Sequence, residues 1–266
     1  MNILLIGDLE RHEFREARLA MDACGAVVET ADVAAACAVL DDEERAFDLI
    51  VLATAYPGQF SDEAVERLRR LSPLSRVVGL LGTWCEGEMR SGHPLPGAIR
   101  VYWHQWAQRL EWESARWHDG LRCSWGLPVT AGEEERVLAL AETPIPRRSG
   151  LIAVCSKEHA IGDWLCATCR RTGYTAEWLR QSDPLGDAKP AAGIFDASDR
   201  PQQCEDLRRF AAALHPAPVV AIIGFPRVEY RDRALDSGAA SVLSKPLLVE
   251  DLLLELDRGL AKVPAK

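Results

Sequence analysis

Short apolar blocks alternate with longer stretches of helical spacing along this chain, and the alternation runs through twice. Residues 3–6 are a strand-like apolar run, and 11–24 carry a helical pattern that Gly25 closes as a C-cap. Ala26-Val27-Val28-Glu29-Thr30 reads as a second strand, after which Asp32 opens an alanine-rich helix. Phe47-Asp48-Leu49-Ile50-Val51-Leu52 has the near-continuous apolar character of a strand buried on both faces of a parallel sheet. The next helix is framed by Ser61 as N-cap, Asp62 and Glu63 in its first turn, Arg69 and Arg70 in its last, and Pro73 beyond. Each stands where capping and the helix dipole favour it. Runs at 76–81 and 99–103 complete five strands, and 105–118 supply a closing helix.

Five strands alternating with helices predict a doubly wound parallel α/β sheet. The same order then recurs, with strands at 151–154, 174–178, 192–195, 219–223 and 241–243. Helices at 157–172 (closed by Gly173), 203–214, 228–237 and 248–261 lie between and after them. Between the halves Asp119-Gly120 reads as a turn. Thr130 with Glu133 fits a capping box ahead of Val137, Leu138 and Ala141, and Pro144 and Pro146 end that short helix. The expected organisation is a first domain over 1–118, a linker with a short helix over 119–149, and a second domain over 150–266.

Composition narrows the class. A formal net charge of −9 removes the basic footprint of a nucleic-acid binder at whole-chain level. The opening Met1-Asn2-Ile3-Leu4-Leu5-Ile6-Gly7-Asp8 lacks the positive region and long apolar core of a signal peptide. No later stretch approaches membrane-spanning length, so a cytoplasmic protein without membrane attachment is expected. Eight cysteines, at 24, 37, 85, 123, 155, 166, 169 and 204, are scattered instead of forming a compact framework, which predicts free thiols in a reducing compartment. Cys166-Ala167-Thr168-Cys169 has CxxC spacing. It falls inside a helical pattern, away from the helix start where the dipole lowers a thiol pKa, and reads as core packing.

The most specific local signature is Ala240-Ser241-Val242-Leu243-Ser244-Lys245-Pro246, preceded by Ser237-Gly238-Ala239 and followed by a leucine-rich helical pattern. This stretch resembles the fifth strand of a response-regulator receiver (CheY-like) domain, and the element order of both halves agrees. The resemblance implies an α/β fold of two flavodoxin-like doubly wound five-stranded parallel sheets in tandem. In that family, acidic residues after strand one hold Mg²⁺ and an aspartate after strand three accepts the phosphoryl group. A hydroxyl after strand four follows that group, and the lysine after strand five neutralises charge. Asp196, ending Gly193-Ile194-Phe195-Asp196, takes the phospho-acceptor position, and Lys245 takes the phosphate-lysine position.

The remaining positions depart from the pattern. Cys155-Ser156 stands in place of the acidic pair, Gly224 in place of the hydroxyl, and Pro201 falls one residue later than the family's proline. Glu158 reads as a solvated first-turn residue. In the first half, Asp48-Leu49-Ile50-Val51-Leu52-Ala53-Thr54-Ala55-Tyr56-Pro57-Gly58 resembles the third strand and its turn, with Ala53 at the nucleophile position and Thr54 a turn residue. Gly7-Asp8 follows strand one, Gly82 replaces the hydroxyl, and Gly97-Ala98 sets a register that puts His104 at the lysine position. The resemblance thus implies two degenerate, pseudo-receiver copies. Mg²⁺ binding is expected to be weak or absent, because the carboxylates that a hard cation prefers are missing.

Residues 82–97 replace the fourth helix of the first half with a segment too rich in glycine and proline for a regular helix. Its Trp84, Cys85, Glu86, Glu88, Arg90 and His93, near Tyr102, Trp103, His104 and Trp106, form a candidate ligand or partner loop. A thiol–histidine enzyme would pair Cys85 with His93 or His104, and a metal site would draw on Cys85, His93, His104 and Cys123. No ligand pair stands at recognisable spacing, and tryptophans packing the loop on the sheet are the plainer reading. In the final helix Val249, Leu252, Leu253, Leu256 and Leu260 share a face, with Leu254 off it; in receivers this region often forms a dimer or output surface.

The expected function is a two-component-type signalling or regulatory protein. It acts through protein–protein contacts, independent of phosphorylation, without enzymatic activity, cofactor or metal. Its expected partners are a histidine kinase or output protein and a second copy of itself, and not nucleic acid. Two alternatives stand beside it: a C-terminal receiver still phosphorylated on Asp196, and a small-molecule or metal-binding sensor or enzyme at the 84–104 loop.

Overall fold

Strands whose side chains are apolar on both faces need cover on both sides, and a parallel sheet wrapped by its crossover helices provides it. The computed structural model describes residues 1–42, 45–86, 94–95, 97–120, 123–128, 130–132, 134–135, 138, 148–180, 189–197, 202–224, 227–245 and 247–261. The chain divides into two compact units, Met1–Thr143 and Pro144–Lys266. In the first, β1 (Asn2–Ile6), β2 (Ala26–Thr30), β3 (Leu49–Thr54), β4 (Arg76–Leu81) and β5 (Ile99–Tyr102) form a parallel sheet in the order β2-β1-β3-β4-β5. Its helices are α1 (Arg15–Cys24), α2 (Val33–Leu40), α3 (Asp62–Leu71) and α4 (Trp106–His118).

The second unit holds β6 (Leu151–Cys155), β7 (Thr175–Leu179), β8 (Ala192–Ala197), β9 (Val219–Gly224) and β10 (Ser241–Lys245). Its helices are α5 (His159–Arg171), α6 (Gln202–Leu214), α7 (Val228–Asp236) and α8 (Val249–Ala261). The sheet order β10-β9-β8-β6-β7, again parallel, is the first unit's order counted from the other edge. Both units are flavodoxin-like doubly wound sheets. In each, the strand order reverses between the first and third strands, where an open α/β sheet leaves a crevice at its carboxyl edge.

Burial decides which local signals matter. All six residues of β3 and all six of β8 are buried, each large apolar side chain contributing about 1.5–3 kcal/mol. A helix cap contributes about 1 kcal/mol. The caps are nonetheless where expected: Asp32 accepts from the Ala35 N–H at 2.8 Å and Ser61 from that of Ala64 at 3.2 Å. Gly173, at φ 100°, supplies the left-handed residue after α5.

Several element ends and caps differ from the sequence reading. The helix expected from residue 11 opens as a 3₁₀ turn, His12–Phe14, because Phe14 is drawn fully into the core, and α1 starts at Arg15. Gly25 caps α1 in an extended conformation. Its requirement is steric, since a Cβ there would fall on the Met1 carbonyl. β3 runs two residues later than expected, and Asp48 instead ties the strand starts together by accepting from the Asn2 N–H at 2.7 Å. β5 ends at Tyr102, with Trp103 in the 3₁₀ turn Trp103–Gln105.

Part of the segment expected as linker packs on the first unit. Ser124–Gly126 forms a 3₁₀ turn against α4, where the buried Glu113 carboxylate accepts from the Ser124 hydroxyl and, at 3.2 Å, from the Trp125 N–H. Arg76 Nε donates to the Trp125 carbonyl at 2.7 Å. The Thr130 capping partner Glu133, with Val137 and Ala141, lies outside the described residues. Among the described residues no helix is long and apolar enough to cross a membrane.

Burial pushes the Glu113 carboxyl above the ordinary carboxylate value, opposed by its hydrogen bonds to Ser124 and Trp125 and by the Arg109 charge. The folded state therefore keeps this proton at pH values where the unfolded chain has lost it. Stability falls as pH rises from the ordinary carboxylate value through the raised one. Urea unfolding of wild type and Glu113→Gln across pH should show wild type losing stability relative to the variant over that window. A pH-independent difference would contradict this assignment.

Candidate functional site

At the carboxyl edge of the second sheet, β6 delivers Ser156, β8 delivers Asp196 and β10 delivers Lys245. Asp196 is only 7% exposed, and both of its oxygens are engaged. Lys245 Nζ contacts Oδ1, and the fully buried Ser156 hydroxyl donates to Oδ2 at 2.7 Å. The Ser156 oxygen also accepts from the Glu158 N–H at 3.1 Å, so the loop leading into α5 is folded around the same hydroxyl. Trp178 Nε1 closes it from the edge strand by donating to the Ser156 carbonyl at 3.1 Å. Gly162 is needed beneath the indole, because a Cβ there would run into the ring.

The other positions of the second unit do not join this cluster. Cys155 packs into the core on the opposite side of β6, among Leu179, Phe195 and Leu207. Gly224 pairs with Lys245 in the β9–β10 ladder and offers no side chain, although a Cβ would meet nothing within 4 Å. Glu158 is exposed ahead of α5. Pro201 and Pro246 lie outside the described residues. The Mg²⁺ implied by the resemblance has at this edge one carboxylate already bound by an ammonium and a hydroxyl. That donor set does not fit a hard dication that prefers several oxygen ligands.

In the first unit, Ala53 is buried at the acceptor position and Gly7 approaches it so closely that a Cβ would lie 3.0 Å from the Ala53 carbonyl oxygen. Asp8 is exposed and turned to its own loop, accepting from the Glu10 N–H at 2.9 Å. Thr54 is the buried last residue of β3, its hydroxyl spent on the Leu52 carbonyl at 3.1 Å, and not part of the following turn. Gln59 clamps that turn by accepting from the Ala55 N–H at 2.7 Å and donating to the Ala53 carbonyl at 3.1 Å.

A carboxylate at the end of β4 comes from Glu13, which sequence reasoning missed. It is 7% exposed; Oε2 accepts from the Thr83 hydroxyl at 2.6 Å and from the Thr83 N–H at 3.1 Å, and Oε1 from Arg11 Nε at 3.0 Å. A Cβ on Gly82 would sit 2.6 Å from Oε1, so the glycine at the hydroxyl position makes room for this carboxylate.

The candidate loop is only partly brought together. Trp84 is 74% exposed, whereas Cys85 is fully buried and its thiol donates to the Thr54 carbonyl at 3.3 Å. His104 is buried, with Nε2 3.5 Å from Glu86 Oε1 and its ring stacked on Tyr102. Arg90 and His93 lie outside the described residues, as does Glu88. The neighbouring cleft, lined by Thr54, Gln59, Phe60, Leu81, Leu95 and Arg100 among others, has room for about one water molecule. Among the described residues no group of three or more His, Cys, Asp or Glu could hold a metal ion. Cys123 sits beside Glu113, and burial with that neighbouring carboxylate pushes its thiol pKa up.

The CxxC cysteines are core residues of α5. Burial raises the thiol pKa of both, that of Cys169 to about 12.

The chain is similar to a CheY-like response regulator from Mesorhizobium loti, at 17% identity over 42% of this chain and 99% of that one, TM-score 0.35. It is likewise similar to a receiver domain protein from Methanospirillum hungatei, at 20% identity over 43% and 96%, TM-score 0.38. A third such structure is NtrX from Brucella abortus, at 22% identity over 43% and 28%, TM-score 0.37. At these values the likeness is one of fold alone. No protein-family model matches the chain, and no curated protein does.

Two measurements check these placements. Ser156→Ala should lower the unfolding free energy by about 1.5–3 kcal/mol, because a buried carboxylate loses a donor, and should cost much less in an Asp196→Ala background. Equal costs in the two backgrounds would remove the coupling. A thiol reagent should modify the half-buried Cys24 and Cys204 rapidly in the native protein and the six buried cysteines only on unfolding. Fast native-state reaction at Cys166 or Cys169 would restore the redox reading.

Proposed function

We propose that this chain is a two-component-type signalling protein whose two degenerate receiver-like units work through protein contacts, without phosphoryl transfer. The observation that carries the proposal is the engagement of both Asp196 oxygens by Ser156 and Lys245. A carboxylate nucleophile needs a free oxygen and a metal to neutralise the incoming phosphoryl charge. Here one oxygen is held by a hydroxyl standing where the family places an acid, and the other by the lysine. The first unit, with Ala53 at the acceptor position, has no nucleophile there.

A histidine kinase or output protein is the partner class this reading favours. The exposed Trp84 and Tyr56, on turns after adjacent strands, supply the kind of aromatic surface that interfaces use. Self-association through α8 is less favoured, since within that helix only Ala261 is exposed. Nor does the reading include catalysis at the 84–104 loop, because the Cys85 thiol is turned into the sheet toward Thr54.

The alternative, a second unit that still accepts phosphate, is favoured by one feature, the direct Lys245–Asp196 contact. Incubation with acetyl phosphate and Mg²⁺, followed by intact-mass analysis, separates the two. The proposal expects no adduct. Stoichiometric addition of one phosphoryl group, lost in Asp196→Ala, would replace it with the alternative.

A further inference from the structure

We infer that Glu13 is a built-in ligand seated in a carboxylate site of the first unit, and that this seat latches the turn after β4 in its observed pose. Three donors converge on the seat from two loops: the Thr83 hydroxyl and N–H on Oε2, and Arg11 Nε on Oε1. In the sheet, β3 lies between β1 and β4, so the carboxylate ties the loop after β1 to the turn after β4 across the end of β3. Thr83 opens the 3₁₀ turn Thr83–Cys85, which carries exposed Trp84 on one side and buried Cys85 on the other. Fixing Thr83 therefore fixes how Trp84 is presented.

The donors of the seat select its occupant. On the Gly82 side there is no room for a side chain: a Cβ on Gly82 would be 2.6 Å from Oε1 and 3.2 Å from both Cα and the carbonyl oxygen of Ala55. A planar group with two oxygens fits between the donors. The three donors serve two oxygens, so the further oxygens of a tetrahedral anion would find no partner among them. The class of ligand is thus a small carboxylate, and the chain supplies its own. This latch lies wholly within the first unit and is independent of whether Asp196 accepts a phosphoryl group.

Amide hydrogen exchange at Thr83, read in the full-length protein, tests the latch by chemical rescue. Glu13→Ala should speed exchange at Thr83 by about tenfold to a hundredfold, the range expected for losing a hydrogen bond to a charged group. Sodium acetate should restore slow exchange saturably in Glu13→Ala, and sodium phosphate at equal ionic strength should not. Thr83→Val keeps the amide while removing the hydroxyl. It should also speed exchange, without rescue by acetate. Wild-type exchange in Glu13→Ala, or equal rescue by acetate and phosphate, would overturn the proposal. Should Glu13→Ala fail to fold, wild-type exchange in both Thr83→Val and Glu13→Gln would overturn it as well.

Discussion

A carboxylate buried at the carboxyl edge of a parallel sheet must find donors for both of its oxygens, because leaving a charged acceptor unpaired in that environment costs several kcal/mol. For Asp196 and Glu13 the chain meets that demand from within. Asp196 is held by Ser156 and Lys245, and Glu13 by Thr83 and Arg11. The two solutions use different loops, but each joins structural segments that are distant in sequence. Each also spends, on an internal contact, the groups that an exchangeable ligand at the sheet edge would need.

The fold tolerates this because its stability lies elsewhere. β3 and β8 are buried along their whole length, and the apolar clusters around them contain Ile50, Leu52 and Val65 in one unit and Ile194, Val220 and Leu252 in the other. Ala53 and Gly82 can therefore stand in the first unit, and Gly224 in the second, without disturbing the layers beneath them. Glycine at 82 is even required by the neighbouring Glu13 carboxylate.

The strands were legible because buried parallel strands leave near-continuous apolar runs, and the helix starts at Asp32 and Ser61 because capping residues precede apolar periodicity. Ser156, Asp196 and Lys245 could be assigned to strand ends by position, yet their mutual contacts depend on a tertiary arrangement that spacing does not encode. Glu13 was illegible for a different reason. Within a helical pattern it resembles any solvated first-turn acid, and only the 3₁₀ turn that pulls Phe14 inward aims it at Thr83. Glu113 likewise looks like a surface acid of α4 until the Ser124–Gly126 turn folds over it. The one adjacent signal was Thr83 itself, a hydroxyl immediately after the glycine at the expected hydroxyl position.

At the carboxyl edge of the second sheet, the Asp196 carboxylate is engaged by groups of its own chain. Amide chemical-shift mapping of the wild-type protein during titration with Mg²⁺ and beryllofluoride, a stable phosphoryl mimic, tests this most directly. The internal engagement of Asp196 predicts no saturable shifts at Ser156, Glu158, Asp196, Ala197 or Lys245. Saturable, Mg²⁺-dependent shifts at those amides would contradict it, because they would mean that Asp196 releases its internal donors to take an external group.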